Sequence, residues 1–208
     1  KHGAATKMLK LRELGLRACE GYYSQHMNAC TWPCSITEME PKDGMTQVYR
    51  DMILWADIIL VATPIRWGNA SSLYFKMAER LNCVQNQITL KDRVLVKNKV
   101  ASFIITGGQD NIQQVAGQMM VFFTDLGFTF PPFSFLGWSR GWTAEDMDKN
   151  VLQFKKSEYV KRTAKELVDN CVDTLQSIKH MDASKLKAPK PHKEDSLSFG
   201  MDNPDMNV

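Results

Sequence analysis

The sequence predicts an α/β domain with a largely parallel sheet covered on both faces, and three observations carry that reading. Two short apolar runs, the unbroken Ile58 to Ala62 and Val100 to Ile105 with one serine, have the composition of strands buried on both sides. Longer stretches around them carry apolar residues at helical spacing. Each run ends in a loop of small and polar residues that leads into a helix, so the chain alternates as βαβ units do.

The elements follow in order. The chain opens with Lys1-His2-Gly3-Ala4-Ala5-Thr6 and a short helical stretch through Leu14. A loop containing cysteines, aromatics and Met then runs from Cys19 to about Pro41. After Asp43-Gly44, the positions Met45, Val48, Met52 and Trp55 recur at helical spacing and predict a helix over 45–55. The first apolar strand, 58–62, ends at Thr63-Pro64, and Ser71 to Cys83 predicts the next helix. Lys91 to Lys99 (KDRVLVKNK) is a basic segment ahead of the second strand, usually a solvated edge. That strand, 100–105, is followed by Thr106 and ended by Gly107-Gly108, and Ile112 to Leu126 predicts a helix stopped by Gly127. Phe128 to Trp138 is apolar but broken by Pro131-Pro132, which leaves room for a short, irregular strand. Glu158 to Lys179 predicts a long final helix. Residues 1–181 thus read as one domain. Residues 182–208, rich in Pro and charge and poor in aliphatic mass, read as an extended or disordered tail.

Bulk properties exclude several function classes. A formal charge of +3, with its basic residues dispersed, gives no footprint for nucleic acid. No apolar run approaches the ~18 residues of a membrane span, and the N-terminus lacks a signal-peptide layout. Five cysteines at irregular spacing do not form a secreted disulfide framework. The expectation is therefore a reducing compartment such as the cytoplasm.

Ligands of open α/β sheets bind outside the carboxyl ends of the strands. Two loops there stand out: Thr63-Pro64-Ile65-Arg66-Trp67-Gly68-Asn69-Ala70-Ser71-Ser72 and Thr106-Gly107-Gly108-Gln109-Asp110-Asn111. Both put small and polar residues where backbone N–H groups can approach a planar, electron-rich ring. Gly68, Gly107 and Gly108 permit conformations closed to other residues. Trp67 can lie beside the ring, and Arg66 can offset negative charge on it. Taken singly, each loop reads as a turn with a helix cap, Asn69 or Ser71 for one and Asp110 or Asn111 for the other. Their occurrence on successive strand ends favours a site.

TPIRWGNASSLYFKMAERL, with its strand before and helix after, resembles the ring-binding loop of the flavodoxin-like NAD(P)H-dependent FMN reductases. That family includes iron–sulfur flavoproteins and multimeric-flavodoxin quinone reductases. FIITGGQDNIQQVAGQMMVFFTDLGF resembles the family's next strand, second glycine loop and helix, and Lys1 to Thr6 resembles the end of its phosphate loop. The resemblance implies a flavodoxin-like, doubly wound parallel sheet. It also implies FMN as cofactor and NAD(P)H as co-substrate. The FMN-binding candidates are Thr6, Thr63, Pro64, Ile65, Arg66, Trp67, Gly68, Asn69, Thr106, Gly107, Gly108 and Gln109. The family's first strand has no counterpart ahead of Lys1, and Leu9 to Arg17 is too short for the helix and strand that should follow, so the N-terminal strand is expected to be missing or truncated.

Iron–sulfur flavoproteins carry four closely spaced cysteines. Here Cys19, Cys30 and Cys34 share one loop, and Tyr22 stands where a further cysteine would be. A local cluster held by four cysteines is therefore not expected. Three cysteines with His26 have the ligand types of a zinc site. The weightier reading is a loop of small buried thiols without a metal. Trp138, Arg140 and Trp142 could cap a flavin or simply pack in a turn. No Ser/His/Asp set emerges, so no side chain is assigned as catalytic.

The resulting expectation is an FMN-dependent oxidoreductase passing electrons from NAD(P)H to a quinone, flavin or similar small-molecule acceptor, in a homo-oligomer. The competing expectation is a flavodoxin-fold structural subunit of a larger assembly, without activity of its own.

Overall fold

The computed structural model describes residues 2–107, 111–141 and 143–180. The cysteine segment folds into single turns at Leu11–Glu13, Tyr22–Ser24 and Met27–Cys30, then α1 (Ser35–Met39). Next come α2 (Met45–Val48), which widens to π spacing over Tyr49–Trp55, and β1 (Ile58–Pro64). Helices α3 (Ser72–Arg80) and α4 (Asn82–Lys91) lead to β2 (Val100–Gly107), and α5 (Ile112–Leu126) leads to β3 (Phe135–Ser139). The described chain ends with α6 (Ala144–Met147), α7 (Asn150–Lys156) and α8 (Glu158–Lys179).

The three strands are parallel in the order β1-β2-β3, with Ile58 opposite Val100 and Gly107 opposite Ser139. Strand alternation sorts the side chains into two layers. Ile59, Ala101, Phe103 and Ile105 point into the larger core with Val115, Met119 and Phe123 of α5. Val100 packs on the other face against Cys171 and Ile178 of α8, and Leu136 packs there against Val160 and Leu167. Both faces of β2 are covered, which is why its sequence is an apolar run rather than an alternating one, whereas on β1 Leu60 and Ala62 stay exposed. The α/β architecture with a parallel sheet is thus as the sequence predicts. Among the described residues the strand order does not reverse, and residues 2–10 pair with no strand.

Local chemistry sets the helix ends. The Ser71 hydroxyl accepts from the Tyr74 N–H to cap α3, and the Ser157 hydroxyl accepts from Val160 to cap α8. Gly127 ends α5 with a φ of 95°, and a Cβ there would lie 2.5 Å from the Val94 side chain. The helix predicted over 71–83 is interrupted at Leu81, whose N–H bonds back to Met77 and Ala78, and a second helix then runs on to Lys91. The residues 182–208, read as a tail, lie outside the described residues.

Candidate functional site

The site is built on the carboxyl ends of β1 and β2. Thr63, 3% exposed, clasps the base of the first loop: its hydroxyl oxygen accepts from the Ser71 N–H at 3.0 Å and lies 3.3 Å from the Ser71 hydroxyl. Across the sheet end, the Ile65 N–H donates to the Thr106 carbonyl at 2.7 Å. Between these ties Arg66 and Asn69 exchange two backbone hydrogen bonds, of 2.7 and 3.0 Å, around Trp67-Gly68. Both central residues have positive φ, 50° and 74°, as a two-residue type I′ turn requires. Glycine accepts that backbone freely, whereas for Trp67 the left-handed region costs about 1–2 kcal/mol. The turn nevertheless holds Trp67 95% exposed, with its indole clear of the core.

Asn111, the residue before α5, donates from Nδ2 to the Gly68 carbonyl at 2.6 Å and joins the two loops. A Cβ on Gly68 would stand 2.8 Å from that same Nδ2. The sequence marks Asn111 as a helix-cap candidate, but its side chain braces the turn and caps no helical N–H. Nothing local in the sequence signals this contact, because the partners are 43 residues apart. Gly107 serves a different need from the one expected. Its φ is not positive; a Cβ there would come 2.8 Å from the Ile65 Cβ, so the missing side chain lets the loops approach.

Thr63, Pro64, Ile65, Arg66, Trp67, Gly68, Asn69, Thr106 and Gly107 are thus brought together. Thr63 and Ile65 are buried and act by holding the loop, while Arg66, Trp67 and Asn69 are exposed. The Arg66 guanidinium donates only to the Ile65 carbonyl and forms no ion pair among the described residues. Gly108 and Gln109 lie outside the described residues, as does Trp142. Thr6 is not brought to this end of the sheet. It is exposed beside Lys7, whose ammonium sits 2.8 Å from Asp51 and 4.4 Å from the Trp55 ring centre, just ahead of the start of β1.

The cysteine loop is anchored by a buried ion pair that the sequence reading missed. Arg80 on α3 bonds Asp43 at 2.6 Å with both side chains fully buried, and its other N–H groups reach the Arg17 carbonyl and the Thr37 hydroxyl. Cys30 and Cys34 are buried and Cys19 is partly so. A hydrogen bond from Cys83 draws the Cys34 thiol down to about 4 against the effect of burial, with Arg80 adding to the pull. Among the described residues, no group of three His, Cys, Asp or Glu side chains is placed to hold a metal ion. No helix among them is long and apolar enough to cross a membrane.

Residues 1–143 match the family model described as NADPH-dependent FMN reductase. The chain belongs to that family. It is an FMN-binding and NADPH-dependent family. An exposed indole face, a turn tip without a Cβ and a guanidinium with no ion pair among the described residues meet at the strand ends. An 8-demethyl-8-aminoriboflavin-5′-phosphate synthase of Streptomyces davaonensis is 30% identical over 83 residues, 40% of this chain and 32% of that protein. A divalent metal cation transporter MntH of Mycobacterium bovis is 26% identical over 107 residues, 51% of this chain and 16% of that protein. The chain therefore spans a third or less of the length of these curated relatives. The crystal structure of RosB with bound 8-demethyl-8-formylriboflavin-5′-phosphate aligns with a TM-score of 0.42 at 19% identity, covering 78% of this chain and 67% of that one.

Proposed function

We propose that this chain is an FMN-dependent oxidoreductase that passes electrons from NADPH to a small-molecule acceptor such as a quinone or a flavin. The observation that carries the reading is the Trp67-Gly68 turn: a tryptophan in a strained backbone, held almost wholly exposed by two hydrogen bonds at the end of a parallel strand. Strain of that kind persists where the surroundings over-determine it, and it clusters at ligand sites. FMN, when bound, supplies the hydride and electron chemistry. The chain's part is to position and to tune. Trp67 offers an apolar face, Gly68 lets the backbone approach, and Arg66 places a positive charge where the reduced ring is anionic. None of these roles needs a side-chain acid or base.

The relative named for riboflavin phosphate chemistry supports a flavin ligand, and a reducing compartment accords with the free thiols. The test is direct. The purified protein should show a flavin spectrum after reconstitution with FMN and should oxidise NADPH when a quinone or free flavin is added. Absence of flavin binding would leave the non-catalytic subunit as the reading.

A further inference from the structure

Beyond the flavin loops, a cavity of about 320 Å³ opens at the carboxyl end of β3. Its lining is Trp138, Arg140, Gln153, Lys156 and Ser157. Two of these five are cations, and neither Arg140 nor Lys156 forms an ion pair among the described residues. Among the described residues Arg140 donates to the Asp148 carbonyl, at 2.9 Å. Glu158, the carboxylate of the first turn of α8, is engaged by Lys161 at 2.7 Å. Trp138 meets the Phe154 ring edge-on at 5.4 Å, which fixes the indole that forms one wall. An open cavity with two cations that have no ion pair among the described residues, an amide, a hydroxyl and an aromatic wall suits a phosphorylated nucleotide.

Its place in the sheet narrows the choice. Ser139 pairs with Gly107 and Thr106 with Pro64, so the end of β3 lies one strand spacing from the end of β2 and two, about 10 Å, from the end of β1 that leads into the Trp67 turn. A dinucleotide spans that distance. The cavity is at the lower end of small-molecule sites in size, with room for one nucleotide half and not two.

Resting on the NADPH-dependent reading above, we infer that this cavity holds the adenosine 2′-phosphate half of NADPH, with Arg140 and Lys156 on the phosphate and Trp138 beside the adenine. The shared chemistry, a phosphate monoester on a nucleotide, could also come from FMN, and the experiment separates the two. The full chain is titrated calorimetrically with adenosine 2′,5′-bisphosphate, with 5′-AMP and with FMN. The same titrations follow for Arg140→Gln/Lys156→Gln, for Lys156→Gln alone, and for the control Lys155→Gln, an exposed neighbour outside the cavity lining.

The parent should prefer the bisphosphate over 5′-AMP. In the double variant, affinity for the bisphosphate should fall tenfold or more, because one lost charged contact to phosphate is worth at least that. Lys156→Gln should lose part of this, and Lys155→Gln should lose none. FMN affinity should stay within twofold throughout. If FMN affinity falls with the double variant, the cavity takes the flavin's own phosphate and the inference is overturned. If the bisphosphate binds equally to parent and double variant, or not at all while FMN binds, the inference fails and the flavin reading stands. If neither ligand binds the parent, both fail.

Discussion

Replacing Gly68 by Val should abolish tight FMN binding and leave the fold intact. The magnitude follows from two features of the turn. A left-handed φ of 74° costs an L-residue about 1–2 kcal/mol, and more when the side chain is β-branched. A Cβ would also stand 2.8 Å from Asn111 Nδ2, which must swing away and give up its hydrogen bond to the Gly68 carbonyl, worth about 0.5–1.5 kcal/mol. The sum is about 2–4 kcal/mol. It falls on the loop, because the crowded atom is the far end of a polar side chain and the core is not touched. If FMN binds only to the formed turn, that free energy appears in the affinity, a weakening of about 30-fold or more. Quenching of FMN fluorescence measures the affinity, and circular dichroism with a thermal melt checks the fold. Parent-like FMN affinity in Gly68→Val would refute the reasoning and move the ring site elsewhere.

Arg66→Ala should keep FMN affinity within a few-fold yet lower the flavin's reduction potential by about 20 mV, the equivalent of ~1 kcal/mol of lost attraction at surface dielectric; an unchanged potential would remove Arg66 from the site. Gly117→Ala should stabilise the protein by about 0.5–1 kcal/mol in urea denaturation, since Gly117 sits mid-helix in α5 and a methyl there meets nothing within 4 Å. Arg80→Met should cost about 3–5 kcal/mol by stranding Asp43 in the core, lowering the melting midpoint by about 6–20 °C; Lys7→Ala, at a half-exposed pair, should cost no more than ~1 kcal/mol. On acidification, Asp51 is held down to about 2 by Arg50 and then Lys7, and at Asp43 burial is outweighed by the Arg17 N–H and the Arg80 guanidinium. Both folded values lie below the ordinary carboxylate value, so the stability they confer is present above pH ~4 and is lost as the pH falls toward 2. Melting midpoints between pH 5 and 2 should show that loss, and Asp43→Asn should make the acid limb shallower.

The strands and the helices that cover them were legible because their determinants are local. Ile58 to Ala62 and Val100 to Ile105 are apolar at every position but Ser102, as suits strands at the centre of a domain although Leu60 and Ala62 stay exposed, and Gly127 stands where a helix must turn left-handed. The break at Leu81 was not legible, since Leu81, Asn82 and Cys83 continue a helical pattern without a Gly or Pro. The turns of the cysteine segment were not legible either. They are fixed by Arg80 reaching Asp43, Thr37 and the Arg17 carbonyl, partners 37 to 63 residues away. Within the site, the sequence marks Gly68 and Gly107 as special but cannot distinguish a glycine needed for its φ from one needed for space. Gly68 is the first kind and Gly107 the second.

That distinction bears on how the site works. A loop that met a ring by flexibility alone would lose ordering entropy on binding. Here three ties remove that freedom beforehand: Thr63 to Ser71 at the base, Ile65 to Thr106 across the strand ends, and Asn111 to Gly68 at the tip. Each tie joins the loop to a strand end or to a helix start whose position the core has already set. The indole of Trp67 contributes almost nothing to that core, so its fixed exposure is costly for the fold and useful only for something outside it. A surface tryptophan on an untied loop would fold back onto apolar neighbours such as Ile65. The strained turn prevents this, and it thereby spends fold stability on holding one aromatic face ready at the end of a parallel strand.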